Sequence, residues 1–213
     1  MVDGHDQLAA LVAPLSLAHL TSVLARWLWD GHRAAAELQA LRRDDARGHW
    51  DNAFSYGTDR YQYLVRTADS LIDEIDGLAP DRGYQSLLLK LPRVALYPLS
   101  AASGPHGPMG TASELRRELL NDAESPELAL LSRREMWVAN RELVLLPWSG
   151  SEDVGLTGLW AGKGEADRHD RAHVDWEWLV QLDLTGGTGQ AGLFDAVPLD
   201  RPLRRRTGQR RAL

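Results

Sequence analysis

Apolar residues recur at helical spacing up to about residue 78 and at strand spacing after residue 86, and this change of period constrains the fold most strongly. In the first part, Leu20, Leu24 and Leu28 lie on one helical face. In the second part, short apolar runs are bounded by Pro and Gly, as strands usually are. The order predicts an α+β fold in which N-terminal helices pack on a small, mainly antiparallel sheet in the second half.

Three helices are predicted between residues 17 and 77. The first ends at Gly31, because a glycine that follows an apolar stripe is a common stop signal, and the second covers about residues 32–45. These two helices are predicted to form a hairpin. The third starts after Thr58, whose hydroxyl can cap a helix, and ends at Gly77.

The second half is predicted to be mainly strands. Their apolar runs cover residues 87–91, 94–99, 143–148, 156–160 and 176–184. The last three runs predict an antiparallel meander. Two short helices are predicted before them, one from the capping-box spacing of Thr111 and Glu114 and one from Ser125 and Pro126.

The chain is long enough for one domain with a sizeable core. Its 213 residues are 44% hydrophobic. We expect a single α+β domain over residues 1–197, with a helical part over about 1–78, a mixed part over about 85–197 and a tail over 198–213. The absence of cysteine excludes disulfides, thiolate metal sites and cysteine nucleophiles. No apolar run reaches the roughly 18 residues of a membrane span, so we expect a cytoplasmic protein that binds no membrane.

Charge is distributed unevenly along the chain. The last thirteen residues contain six arginines and no acid, which leaves 18 basic against 30 acidic residues before them, a formal charge of −12. A basic arm on an acidic body predicts contact with nucleic acid or with an acidic protein surface. The arginines are Arg201, Arg204, Arg205, Arg206, Arg210 and Arg211.

Side chains that bind metals concentrate between residues 165 and 175. On one helical turn, His169 and His173 would face the same way and could bind a divalent ion, with Asp167 or Asp175 completing the shell. Glu165 is then a candidate base. The alternative is a solvated, charged hairpin loop, since the segment lacks the HExxH pattern and carries neighbouring cations.

Aromatic residues concentrate between residues 50 and 63. Trp50, Phe54 and Tyr61 could stack on nucleic-acid bases or on a planar ligand, helped by the neighbouring Arg47, Arg60 and Arg66. The alternative is that these three rings pack the helices onto the sheet.

The sequence therefore supports three functions. The leading prediction is a non-enzymatic interaction or regulatory protein whose basic C-terminal arm contacts nucleic acid or an acidic protein partner. The second is a metal-dependent hydrolase or nuclease that uses the Asp/His loop with a divalent metal as its cofactor. The third is binding of a small planar ligand by the aromatic cluster.

Overall fold

The computed structural model describes residues 3–45, 50–83, 86–109, 119, 138–167, 169–170 and 172–184. The helices of this part precede its strands, which confirms the predicted α+β fold. The helices are α1 (Gly4–Val12), α2 (Leu17–Arg43) and α3 (Ala53–Thr67), which continues into a 3-10 segment (Ala68–Asp73). The strands are β1 (Ala79–Asp81), β2 (Leu88–Lys90), β3 (Val94–Ser100), β4 (Glu142–Ser151), β5 (Gly155–Ala166) and β6 (Val174–Gln181).

The six strands form one sheet whose spatial order follows the chain, from β1 to β6. Every neighbouring pair is antiparallel except β3 and β4, which run parallel from the Val94 and Glu142 pair to the Ser100 and Trp148 pair. The sheet is therefore mainly antiparallel, as predicted. The parallel pair places the carboxyl ends of β3 and β4 side by side.

The two faces of the sheet carry separate apolar cores. Side chains of α1, α2 and α3 cover one face, where they pack on alternate residues of β3 and β4 such as Leu96, Val144 and Leu146. The intervening residues, among them Tyr97 and Leu145, form the second core with Met109, Leu119 and Val138 from the β3–β4 connection. Strand alternation thus divides the buried residues between two layers.

The predicted helix boundary at Gly31 is wrong. Helix α2 runs without a break from Leu17 to Arg43, with Gly31 buried in its interior. A Cβ at Gly31 would lie 2.8 Å from Leu64 Cδ2 of α3. Glycine is therefore required here for close packing of two helices, and its low helix propensity is outweighed by the rest of a 27-residue helix.

The predicted start of the third helix is also wrong. Helix α3 begins at Ala53, and Asn52 caps it by accepting a hydrogen bond from the Ser55 backbone N–H at 2.8 Å. The Ser55 hydroxyl in turn accepts from the Asn52 backbone N–H, which completes a capping box. Thr58 is an exposed residue inside the helix. Gly77, with a positive φ of 76°, lies in the turn before β1, after the 3-10 segment has ended.

The strand predictions are confirmed for the described part of the chain. Strands β2 and β3 flank Pro92, and β4, β5 and β6 form the predicted antiparallel meander. The two short helices predicted from Thr111 and Ser125 lie outside the described residues.

Among the described helices, none is long and apolar enough by itself to span a membrane. Helices α1 and α2 meet the length and composition criteria only as a pair, and that pair is bent by 87°.

Candidate functional site

A polar cluster lies on the helix-covered face of the sheet, where the parallel strands β3 and β4 end. Ser100 ends β3, and Trp148 is its register partner on β4. Helix α3 places Tyr56 and Arg60 over them, because residues four apart share the helix face that also carries the buried Leu64. The carboxyl ends of parallel strands are a common position for ligand sites in open sheets.

Arg60 is the centre of this cluster. Only 9% of its surface is exposed. The guanidinium carbon lies 4.2 Å from the ring centroid of Trp148 and 5.1 Å from that of Tyr56, in cation–π contact with both. Nη2 donates to Ser100 Oγ at 3.2 Å. The Tyr56 hydroxyl lies close enough to the guanidinium to favour its charged form.

None of the described carboxylates forms an ion pair with Arg60. Burial of an unpaired charge costs several kcal/mol. The two rings recover part of that cost, about 2 kcal/mol for a desolvated cation–π contact. The hydroxyls of Ser100 and Tyr56 supply dipoles but no charge. The site therefore has a positive charge that its own described residues do not neutralise.

His32 extends the cluster from α2. It is 2% exposed, and its Nδ1 lies 2.6 Å from the Tyr56 hydroxyl oxygen. Either Tyr56 or His32 donates in this hydrogen bond, depending on the imidazole tautomer. The other ring nitrogen, Nε2, is buried and has no hydrogen-bond partner among the described residues.

Glycine at position 150 makes room for the imidazole. A Cβ there would lie 2.5 Å from His32 Cε1 and 2.6 Å from Nε2. The ring also packs edge-on against Trp148, with the two centroids 5.3 Å apart. The backbone of β4 and the side chain of Trp148 therefore fix the orientation of His32, and with it the hydroxyl of Tyr56.

Burial controls the protonation of all three titratable groups. It lowers the pKa of His32 to about 4, with a further contribution from the Arg60 charge; the Ser151 backbone acts in the opposite direction. Burial also raises the pKa of the Tyr56 hydroxyl and lowers that of Arg60. At neutral pH His32 and Tyr56 are neutral, and Arg60, as arginine does in proteins, stays charged.

The arrangement can bind an anion but contains no obvious nucleophile and base pair. The Arg60 guanidinium carbon lies over the rings of Tyr56 and Trp148, and Nη2 bonds to the Ser100 hydroxyl. A guanidinium carries five N–H donors, with which arginine binds carboxylates and phosphates.

The Asp/His segment lies in the turn between β5 and β6. His169 and His173 belong to a hairpin turn, so the helical geometry assumed for metal binding is wrong. Asp167 Oδ1 accepts from the His169 backbone N–H at 2.7 Å, which lowers the pKa of that carboxyl, and His173 Nδ1 lies 2.9 Å from Asp170 Oδ2. These contacts stabilise the turn.

No group of three or more metal-binding side chains is present among the described residues. Glu165, Asp167, His169 and Asp175 instead line an open groove of about 610 Å³ together with Lys163 and Trp176. Lys163 is held between Glu142, at 2.8 Å, and Glu177, at 3.0 Å. The metal site with Asp167, His169, His173 and Asp175 therefore stays a prediction.

The aromatic cluster is divided by the structure. Trp50 and Phe54 are 63% and 84% exposed, so the interpretation that these two rings pack the helices onto the sheet is wrong, whereas Tyr61 is 37% exposed. Two other rings of this segment face the interior: Tyr56 is buried, and Tyr63 packs against the core on the helix-covered face of the sheet. Binding of a planar ligand by the three exposed rings stays a prediction, as does binding by the tail arginines, which lie outside the described residues.

Sequence reasoning missed most of the buried cluster. His32 was placed at the start of a separate helix, although it continues the buried face of Leu24 and Leu28 along α2. Arg60 was considered only as one of three arginines near the aromatic rings. The signal that was present is the four-residue spacing of Tyr56, Arg60 and Leu64, which places an arginine on an apolar helix face.

Comparison with known proteins gives no relative from which a function could be inferred. No family model matches the chain, and neither the curated proteins nor the solved structures contain a match.

Proposed function

We propose that this protein binds a small anionic ligand at Arg60. The observation that supports this most directly is a guanidinium that is 9% exposed and has no carboxylate partner among the described residues. Buried charges in proteins are usually paired, so an unpaired one indicates that the partner is a ligand. An anion bound at this position would offset the free-energy cost of burying the Arg60 charge, and this gain would favour binding.

The surroundings of Arg60 support a preorganised site. The cation–π contacts with Trp148 and Tyr56 and the hydrogen bond to Ser100 hold the guanidinium in position. A side chain that is already held in position loses little conformational entropy when it binds a ligand.

Ligand-dependent stability tests the proposal. Thermal unfolding of the full chain would be followed with acetate, formate, phosphate and sulfate as sodium salts, each against chloride at constant ionic strength. An anion that binds only the folded protein raises its melting temperature. We expect at least one anion to stabilise the unmodified chain and to have no such effect on Arg60→Gln.

The matched control is Arg66→Gln, which removes an exposed arginine from the same helix. This variant should respond to the anions as the unmodified chain does. Equal responses of Arg60→Gln and Arg66→Gln would show that the anions act elsewhere or through nonspecific salt effects, and the proposal would be abandoned.

The charge asymmetry of the sequence supports a second proposal, that the protein also contacts nucleic acid or an acidic protein surface through Arg201, Arg204, Arg205, Arg206, Arg210 and Arg211. Fluorescence anisotropy of labelled DNA and RNA, measured with the full chain and a chain ending at Asp200, tests it. We expect binding that weakens with salt, as counterion release requires, and that is lost on truncation. Equal binding by both chains would contradict this role of the arm.

A further inference from the structure

We infer that binding of an anion at Arg60 is coupled to protonation of His32, so that mild acid strengthens anion binding; this inference rests on the proposed anion-binding function. The two side chains belong to one buried cluster. An anion that offsets the charge of Arg60 therefore changes the electrostatic environment of His32.

His32 and Arg60 are held against the same two rings. The ring centroid of Trp148 lies 4.2 Å from the Arg60 guanidinium carbon and 5.3 Å from the His32 ring centroid. The ring centroid of Tyr56 lies 5.1 Å from the guanidinium carbon, and the Tyr56 hydroxyl oxygen lies 2.6 Å from His32 Nδ1. His32 is 2% exposed and Arg60 is 9% exposed, so water and salt screen the interaction between them only weakly.

The Arg60 charge opposes protonation of His32. Burial is the main cause of the low His32 pKa of about 4, and the positive charge of Arg60 lowers this pKa further, whereas the Ser151 backbone favours the charged imidazole. None of the described carboxylates forms an ion pair with His32 or Arg60. A bound anion would offset the Arg60 charge, so the pKa of His32 would be higher in the complex than in the free protein.

The other charged groups around this cluster lie in the β4–β5 turn and on α2. Asp153 acts electrostatically on the Tyr56 hydroxyl, but it is exposed, and solvent weakens the effect of an exposed charge. Glu152 forms an ion pair with Arg43 of α2. A bound anion would therefore add a negative charge that these groups do not supply to His32.

The coupling acts in both directions, because a ligand that changes the affinity for a proton is itself bound with an affinity that depends on the proton. As the pH falls towards the His32 pKa of the complex, the complex takes up a proton while most of the free protein does not. The dissociation constant of the anion therefore decreases. The tautomer of neutral His32 does not matter here, since the imidazolium carries a proton on both nitrogens.

NMR titration of the unmodified full chain tests the inference. Sodium nitrate and sodium sulfate would each be compared with sodium chloride at constant ionic strength, because these anions keep their charge between about pH 5 and about pH 7, where histidine titrates. The Cε1–H resonance of His32, assigned with His32→Gln, gives the pKa. With nitrate or sulfate at saturation we expect a His32 pKa that is about one unit or more above the value in chloride.

The same samples give the affinity of the anion. The indole N–H resonance of Trp148, assigned with Trp148→Phe, would report on occupancy of the site. We expect the dissociation constant to fall by roughly threefold or more between about pH 7 and about pH 5. Arg60→Gln should abolish the binding at both pH values.

Two variants identify the group that takes up the proton. His32→Gln should lose this dependence of the dissociation constant on pH. Asp153→Asn removes the carboxylate that acts on Tyr56 and should keep the dependence. A dependence that persists in His32→Gln and disappears in Asp153→Asn would assign the proton to Asp153 and overturn the inference.

The other outcomes separate this inference from the proposed function. If the anion binds at Arg60 with the same dissociation constant at both pH values and leaves the His32 pKa unchanged, the protein binds anions but the coupling to His32 is wrong. If neither nitrate nor sulfate shifts the Trp148 resonance at either pH, both proposals fail.

Discussion

The Arg60 guanidinium carbon lies 4.2 Å from the ring centroid of Trp148, and this contact joins helix α3 to strand β4. A cation over an indole ring is attracted by the negative face of the ring, and the attraction is stronger where water is excluded. Trp148 is 4% exposed, so this contact is shielded.

This contact predicts a measurable coupling between the two residues. A double-mutant cycle with Arg60→Met and Trp148→Leu should give a coupling free energy of about 1–2 kcal/mol, because each single variant loses the cation–π attraction and the double variant loses it only once. Urea unfolding of the four proteins measures it. A coupling near zero would indicate that the two side chains are adjacent without a stabilising interaction.

The interior position of Gly31 predicts opposite effects for two glycine substitutions. Gly31→Ala should destabilise the fold by about 1–2 kcal/mol, because the new Cβ would lie 2.8 Å from Leu64 Cδ2 in a packed core. The new Cβ in Gly57→Ala would have no atom outside its own helix within 4 Å, so this variant should stabilise α3 by up to about 1 kcal/mol. Chemical denaturation of both variants measures the effects, and a stabilising Gly31→Ala would contradict the described contact with α3.

The capping residue of α3 can be identified by mutation. Asn52→Ala should cost about 1 kcal/mol, because it removes the oxygen that accepts from the Ser55 backbone N–H at 2.8 Å. Thr58→Ala should be neutral or slightly stabilising, since Thr58 is exposed within the helix and alanine favours helices more. If Thr58→Ala lowered the free energy of unfolding more than Asn52→Ala does, the helix would start at Thr58.

His32 predicts a loss of stability in mild acid. In the unfolded chain its imidazole takes up a proton near pH 6.5, whereas burial and Arg60 lower the pKa in the folded protein to about 4. As pH falls through this window the unfolded state binds the proton and the folded state does not, so the free energy of unfolding decreases. The full effect is of the order of 3 kcal/mol and is complete below about pH 4.

Comparison with His32→Gln isolates this contribution from that of the carboxylates. Urea unfolding of both proteins at about pH 7 and about pH 5 gives the change of unfolding free energy with pH. The unmodified chain should lose more stability over this interval than His32→Gln. An equal loss in both proteins would show that His32 titrates normally.

Local sequence signals predicted which segments form strands better than they predicted which strands lie next to each other. The strands on either side of Pro92 could be predicted because the proline and the apolar runs that flank it are signals contained in a few residues. The parallel pairing of β3 with β4 is not visible, because residues 101–141 lie between the two strands and no local pattern specifies which strand will be adjacent. Gly31 was misread because a glycine that ends a helix and one that admits Leu64 look alike in sequence.

The candidate site was harder to predict for the same reason. Arg60 is buried only because Trp148 and Ser100, distant in sequence, are brought together by the parallel pair. The four-residue spacing of Tyr56 and Arg60 could have shown that they lie on one helix face. That Arg60 has no carboxylate partner among the described residues can be known only from the folded chain. A cluster such as residues 165–175 is easily predicted as a site, because its members are adjacent in the sequence.

The most direct test of anion binding is the side-chain NMR signal of Arg60 itself. With ¹⁵N-arginine protein, the Nε–H resonances of Arg60 and Arg66 can be followed together as sodium acetate replaces sodium chloride at constant ionic strength. Our account predicts a saturable shift of the Arg60 resonance while that of Arg66 stays in place. Parallel, non-saturating shifts of both resonances, or none in either, would contradict it.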